Sequence, residues 1–160
     1  MFKKILVTLA LAASFISSAS ASVVQTTPAS GYAYTGGGAW RVIGRVDFAQ
    51  GTNHIFGLTS TVSLADQGWG GEDSWGNQVH IGLFNNDTYV GGTRVAGAFH
   101  HWTTQTFDIL NSPAALISMN DTLSAIDWAP GTNISMRMFT AGHGWSGWAL
   151  QTQNASFTVT

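Results

Sequence analysis

Short runs in which apolar and polar residues alternate with a period of two, each closed by Gly, Asn, Asp or Pro, govern what this chain can fold into. Over residues 40–48, Trp40, Val42, Gly44, Val46 and Phe48 fall on one side, and Arg41, Ile43, Arg45 and Asp47 on the other. That is the pattern of a strand with one buried face. Phe56, Leu58, Ser60, Val62 and Leu64 repeat it. So do Val79, Ile81 and Leu83 against His80, Gly82 and Phe84, and Ile134, Met136 and Met138 against Ser135, Arg137 and Phe139. Residues 88–90, 93–102, 104–110 and 155–159 read as further strands. Residues 22–30 read as an edge strand or lead-in, because Pro28 argues against a central strand. Turn signals stand between the runs: residues 50–53, Asn85-Asn86-Asp87, Gly91-Gly92 and Pro130-Gly131.

The only helical candidate opens at Asn111-Ser112-Pro113, and Asn120-Asp121 is expected to stop it after a turn or two. Residues 113–119 are therefore expected as a short helix or an irregular strand. Eight or nine short strands with turns between them predict an all-β chain, an antiparallel β-sandwich or jelly roll. No repeat of fixed period points to a propeller or solenoid.

The first residues stand apart from that pattern. A basic start at Lys3-Lys4 is followed by the apolar residues 5–16, a serine-rich stretch and Ala19-Ser20-Ala21, which fits signal peptidase cleavage before Ser22. The apolar run is shorter than the about 20 residues that a membrane helix needs. The expectation is a signal peptide over residues 1–21 and a single domain over residues 22–160, secreted or periplasmic, with no transmembrane segment after cleavage. The chain has no cysteine, which removes disulfides, thiol nucleophiles and thiolate metal sites. Only 9% of residues are charged, against roughly 25% in an average soluble protein. Without Lys3 and Lys4 no lysine remains, and four arginines face eight acids, a net charge of −4. Such a surface has little attraction for nucleic acid.

Chemical character is concentrated in two loops. Residues 66–78 hold four glycines, Trp69, Trp75, Asp66, Glu72 and Asp73 between two strand-like runs. The segment Asp66-Gln67-Gly68-Trp69-Gly70 resembles a loop of galactose-binding-like jelly-roll domains, most of unassigned function. His143-Gly144-Trp145-Ser146-Gly147-Trp148, followed by Ala155-Ser156-Phe157-Thr158-Val159, resembles the late loop and last strand of the same architecture. The resemblance covers about 35 residues in the right order. It implies a fold and transfers no catalytic assignment. From the residues alone, Asp66 can cap amides of its turn, the glycines let Trp69 fold back as a plug over the sandwich edge, and Trp75 is the better candidate for exposure.

Enzyme chemistry finds little to work with. A glycosidase usually needs two carboxyl groups, and Glu72 is the only glutamate, so a pair would have to draw on Asp66 or Asp73. His100 and His101 are adjacent on an expected strand and point to opposite faces. His54, His80 and His143 are scattered. No Gly-x-Ser-x-Gly elbow and no phosphate-binding loop is present. No catalytic residue is expected. Among metals calcium fits best, through the hard oxygens of Asp66, Glu72 and Asp73.

Aromatic faces pack on the apolar side of a sugar while Asn, Asp and His bond its hydroxyls. Glu72, Asp73, Trp75, Asn77, Trp102, His143, Trp145 and Trp148 would form such a site if the two loops meet at one end. The expected function is a non-enzymatic binding module for a glycan or a cell-surface or matrix ligand. The alternatives are a self-associating matrix or fibre protein and, third, a small hydrolase.

Overall fold

The computed structural model describes residues 22–25, 40–66, 77–141 and 150–160, with side chains over residues 41–66, 77–140 and 150–160. Eight strands follow in order: β1 (Ser22–Gln25), β2 (Trp40–Asp47), β3 (Leu58–Asp66), β4 (Gln78–Asn85), β5 (Thr88–Gly97), β6 (Thr103–Asp108), β7 (Ile134–Ala141) and β8 (Leu150–Val159). A 3-10 turn, Ile109–Asn111, and one helix, α1 (Pro113–Ser124), separate β6 from β7.

The strands form two antiparallel four-stranded sheets, ordered β1-β8-β3-β6 and β2-β7-β4-β5. The pairs β4·β5, β3·β6, β2·β7 and β1·β8 are therefore nested, as in a long hairpin folded over into two layers. This is the strand order of a jelly roll. Core residues come from the inner faces of both sheets, among them Leu64, Ile81, Leu83, Met136, Met138 and Phe157. The alternation of β4 and β7 accounts for this directly: every second residue goes to the core.

Four sequence expectations need correction. In β2 the register slips between Val42 and Gly44. The extra residue reverses the parity of the strand at that point, so Ile43 is buried and Val42 exposed, while Val46 beyond it is buried as expected. Phe56 does not share the buried face of β3. The strand starts at Leu58, and the amides of Phe56 and Gly57 are held instead by the carbonyl of Thr160, at 2.6 and 3.1 Å, leaving the Phe56 ring in solvent.

The third correction concerns Gly91-Gly92, which does not end a strand: β5 runs straight through it. Gly82 and Gly92 face each other across β4 and β5. A Cβ on Gly92 would strike the carbonyl oxygen of Ile81, and one on Gly82 would lie 2.6 Å from the ring of Tyr89. These glycines permit a close approach of two strands.

The fourth is the helix, which is 12 residues long and continues past Asn120-Asp121 to Ser124. The Asn120 amide is buried and behaves like a backbone group. Its Oδ1 accepts from the amide of Ile55 at 2.9 Å, and its Nδ2 donates to the Ile55 carbonyl at 3.0 Å. With Met119 and Leu123 buried beside it, tertiary contact outweighs the poor helix propensity of Asn.

Strand ends decide where function can sit. Asp66, Gln78, Gly97, Thr103 and Leu150 lie at one end of the sandwich: Asp66 faces Leu150, Leu64 faces Thr103, and Gln78 faces Gly97. The strand ends that flank residues 67–76, 98–102 and 142–149 thus cluster at this end. The opposite end carries the turn between β4 and β5, where Asn86 takes a positive φ of 55°.

Candidate functional site

Residues 98–102 join β5 to β6, and their sequence, Ala-Phe-His-His-Trp, puts four ring-bearing side chains into five positions. The alternation of the preceding strand had predicted that β5 would run on through them. It stops at Gly97, because the chain leaves the sheet and is gripped by side chains instead.

Gln105 provides the first grip. Its Nε2 donates to the Gly97 carbonyl at 2.6 Å, and its Oε1 accepts from the Gly97 amide at 3.1 Å, so one side chain replaces a strand partner. The Ala98 amide then donates to the carbonyl of Asn77 at 2.7 Å, and the carbonyl of Phe99 accepts from the Asp66 amide at 2.9 Å. Finally the Asp66 carboxylate takes two side-chain donors. Asn77 Nδ2 reaches Oδ2 at 2.7 Å, and His100 Nδ1 stands 2.9 Å from Oδ1. The link is tied at four successive residues, 97 to 100.

This bracing leaves the rings outside. Trp102 is 45% exposed and Phe99 39%, and His101 stacks on Phe99 with ring centroids 6.0 Å apart and planes at 27°. The His100 side chain is 65% exposed, whereas that of Asp66 is 1% exposed. A buried acid therefore carries an imidazole that reaches into water. His100 turns to Asp66 and His101 to Phe99, although neither lies on the strand from which their divergence was expected.

Of the residues expected to contact a ligand, Trp102 lies in this exposed set. Asn77 does not. It is fully buried and its Nδ2 donates to Asp66. Glu72, Asp73, Trp75, His143, Trp145 and Trp148 lie outside the described residues, as do Trp69 and residues 1–21. Asp66, expected as a calcium ligand, has both carboxylate oxygens engaged by Asn77 and His100. Among the described residues no three His, Asp or Glu side chains form a metal-holding group. Sequence reading passed over Phe99, His100 and Gln105 as site residues. The available signal was the clustering of rings at residues 99–102, which the strand reading absorbed.

A second aromatic group covers the outer face of the β2-β7-β4-β5 sheet. Phe84, Tyr89 and Phe139 meet edge to face at 5.5–5.9 Å, His80 stacks on Phe139 at 5.7 Å, and the Arg137 guanidinium lies 4.4 Å from the Phe84 ring centre. Arg137 also holds the β4–β5 turn, donating to the Asn86 carbonyl at 2.5 Å and to Asp87 at 3.0 Å. Burial and then the charge of Arg94 lower the His80 pKa to about 4. These rings are packed in place: Phe84, Phe139 and His80 are all buried. They form a structural surface, in contrast to the exposed rings of residues 99–102.

No family model matches the chain, and no curated protein does. Solved structures resemble it at low identity. One chain of infectious bursal disease virus Gt strain is 14% identical with a TM-score of 0.42, the match covering 96% of this chain and 37% of the viral one. A Stig cyclase, Fisc from Fischerella sp. TAU, is 15% identical with a TM-score of 0.35 over 95% of this chain and 80% of the cyclase. The EclA C-terminal domain, described as a sugar-binding protein, is 13% identical with a TM-score of 0.27 over 93% and 82%. The chain thus spans little more than a third of the viral one. At these scores the strand pairing itself carries the fold.

Proposed function

We propose that the protein is an exported, non-enzymatic binding module whose ligand is a carbohydrate held at the end of the sandwich that carries residues 98–102. The observation that carries this reading is the set of exposed rings on a tied link. Phe99, His101 and Trp102 stand in solvent, while the backbone beneath them is held by Gln105, Asn77 and Asp66. Exposed aromatic rings on a fixed support are what a sugar's apolar face needs, because little ordering entropy is lost on binding. Trp75, Trp145 and Trp148 belong to segments flanked by strand ends at the same end of the sandwich, and we assign them to the same site.

Affinity electrophoresis of the full chain through gels containing soluble plant and bacterial polysaccharides tests the reading. At least one polysaccharide should retard the protein, and Trp102→Ala should reduce that retardation about tenfold, the effect of losing about 1.4 kcal/mol. Uniform mobility across the panel, together with polymers that grow with concentration in sedimentation, would favour self-assembly instead.

A further inference from the structure

We propose that His100 is the polar contact of this site, and that through Nε2 it selects neutral saccharides over acidic ones. The inference rests on the carbohydrate reading above and adds to it the residue that recognises hydroxyls and the class of sugar admitted.

The argument starts at Asp66. An ionised carboxylate only accepts hydrogen bonds, so the contact of 2.9 Å between Oδ1 and His100 Nδ1 places the proton on Nδ1. In a neutral imidazole the other nitrogen, Nε2, is then an acceptor. Burial is divided across this pair: the acid is withdrawn, with 1% of its side chain exposed, and the imidazole is 65% exposed. Among the described residues Asp66 is the one hydrogen-bond partner of the His100 ring.

The ring is also held in place. Asp66 is fixed on its far side by Asn77 Nδ2 at 2.7 Å, and the Phe99 carbonyl next to His100 accepts from the Asp66 amide at 2.9 Å. Rotating the imidazole would break the bond to a buried carboxylate, which is costly. His100 therefore presents a lone pair in a set direction beside the exposed Phe99–His101 stack. A hydroxyl can donate to that lone pair. A carboxylate or sulfate cannot, and it would also meet the negative charge of Asp66 behind the ring.

Among the described residues, the strand ends that meet Asp66 carry no cation. β4 begins with Gln78, preceded by Asn77, β6 begins with Thr103, and β8 with Leu150 opposite Asp66. The arginine of β5, Arg94, stands opposite His80 on the outer face of the other sheet.

Matched pairs of polymers that share a backbone and differ in charge provide the test: hydroxyethylcellulose against carboxymethylcellulose, and fully methyl-esterified polygalacturonate against polygalacturonate. The full chain is run through gels of each at a pH where imidazole is neutral. The neutral member should retard it about tenfold more strongly, and His100→Ala should lower that retention about tenfold and remove the preference. Asp66→Asn should reduce the preference while circular dichroism shows the fold retained. NMR of the ring nitrogens should find the His100 proton on Nδ1, whatever the ligand.

Equal or stronger retention by the acidic polymers would overturn the proposal, as would a His100→Ala protein that binds like the wild type, or a proton found on Nε2. Retention that Trp102→Ala abolishes and His100→Ala leaves unchanged overturns the role of His100 while sparing the carbohydrate site. Absence of retention on every polymer overturns both.

Discussion

His80 shows how much a single side chain on β4 ties this protein to pH. Its burial, helped by the charge of Arg94, lowers its pKa from 6.5 to about 4. The unfolded chain therefore binds more protons than the folded one between those values, so stability falls as pH drops through that window and is fully present above it. A shift of that size corresponds to about 3 kcal/mol. Urea unfolding at neutral pH and near pH 4 should show a loss of that order in the wild-type protein, and a clearly smaller one in His80→Gln. Equal losses in both would place the sensitivity elsewhere. At the same scale, His100→Ala removes a side-chain donor from the buried Asp66 carboxylate. That should cost about 1–3 kcal/mol, read as a lower urea midpoint with the slope unchanged. In the sequence Asp66 was readable as a loop acid that would accept hydrogen bonds. Its partners were not, because Asn77 and His100 lie 11 and 34 residues away and no local pattern connects them.

At the scale of the element, the alternation of β3, β4 and β7 was legible because each has one face in the core. Where it failed, a backbone event had changed the count. A bulge turned Val42 outward and Ile43 inward in β2, and close strand approach kept Gly91-Gly92 inside β5. Gly92→Ala should therefore be severely destabilising, by about 2 kcal/mol or more, since its Cβ meets a neighbouring backbone that cannot yield. A thermal melt shifted by only a degree or two would show that the strands separate easily. Helix α1 was underestimated for a different reason: Asn120 reads as a breaker until its amide is seen pairing with both backbone groups of Ile55. Asn120→Ala gains helix propensity but leaves that buried N–H and C=O without these bonds. We expect a net loss of about 2 kcal/mol, measured by chemical denaturation. A neutral or stabilising result would mean that packing of Met119 and Leu123 alone docks the helix.

At the scale of the whole molecule, composition and topology argue together for how binding should respond to salt. The expected mature chain has no lysine and a net charge of −4, and its two sheets turn different chemistry outward. The outer face of β6-β3-β8 is a field of Thr59, Thr61, Thr104, Thr106, Ser156 and Thr158, and that of the other sheet is a packed aromatic and arginine layer. Neither resembles a basic patch. The strand order, which no local alternation could specify, brings the ends of β3, β5 and β7 and the starts of β4, β6 and β8 together, and with them the exposed rings of residues 99–102. A ligand held there by ring stacking and by hydrogen bonds to neutral hydroxyls releases few ions. Retention on a neutral polysaccharide should then stay within about twofold between about 0.05 M and 1 M salt, where screening removes long-range charge effects. An interaction driven by phosphate or carboxylate contacts would fall by orders of magnitude over the same range. A steep decline would mean that the arginines, and not the rings of residues 99–102, meet the ligand, and would move the site to the outer face of the β2-β7-β4-β5 sheet.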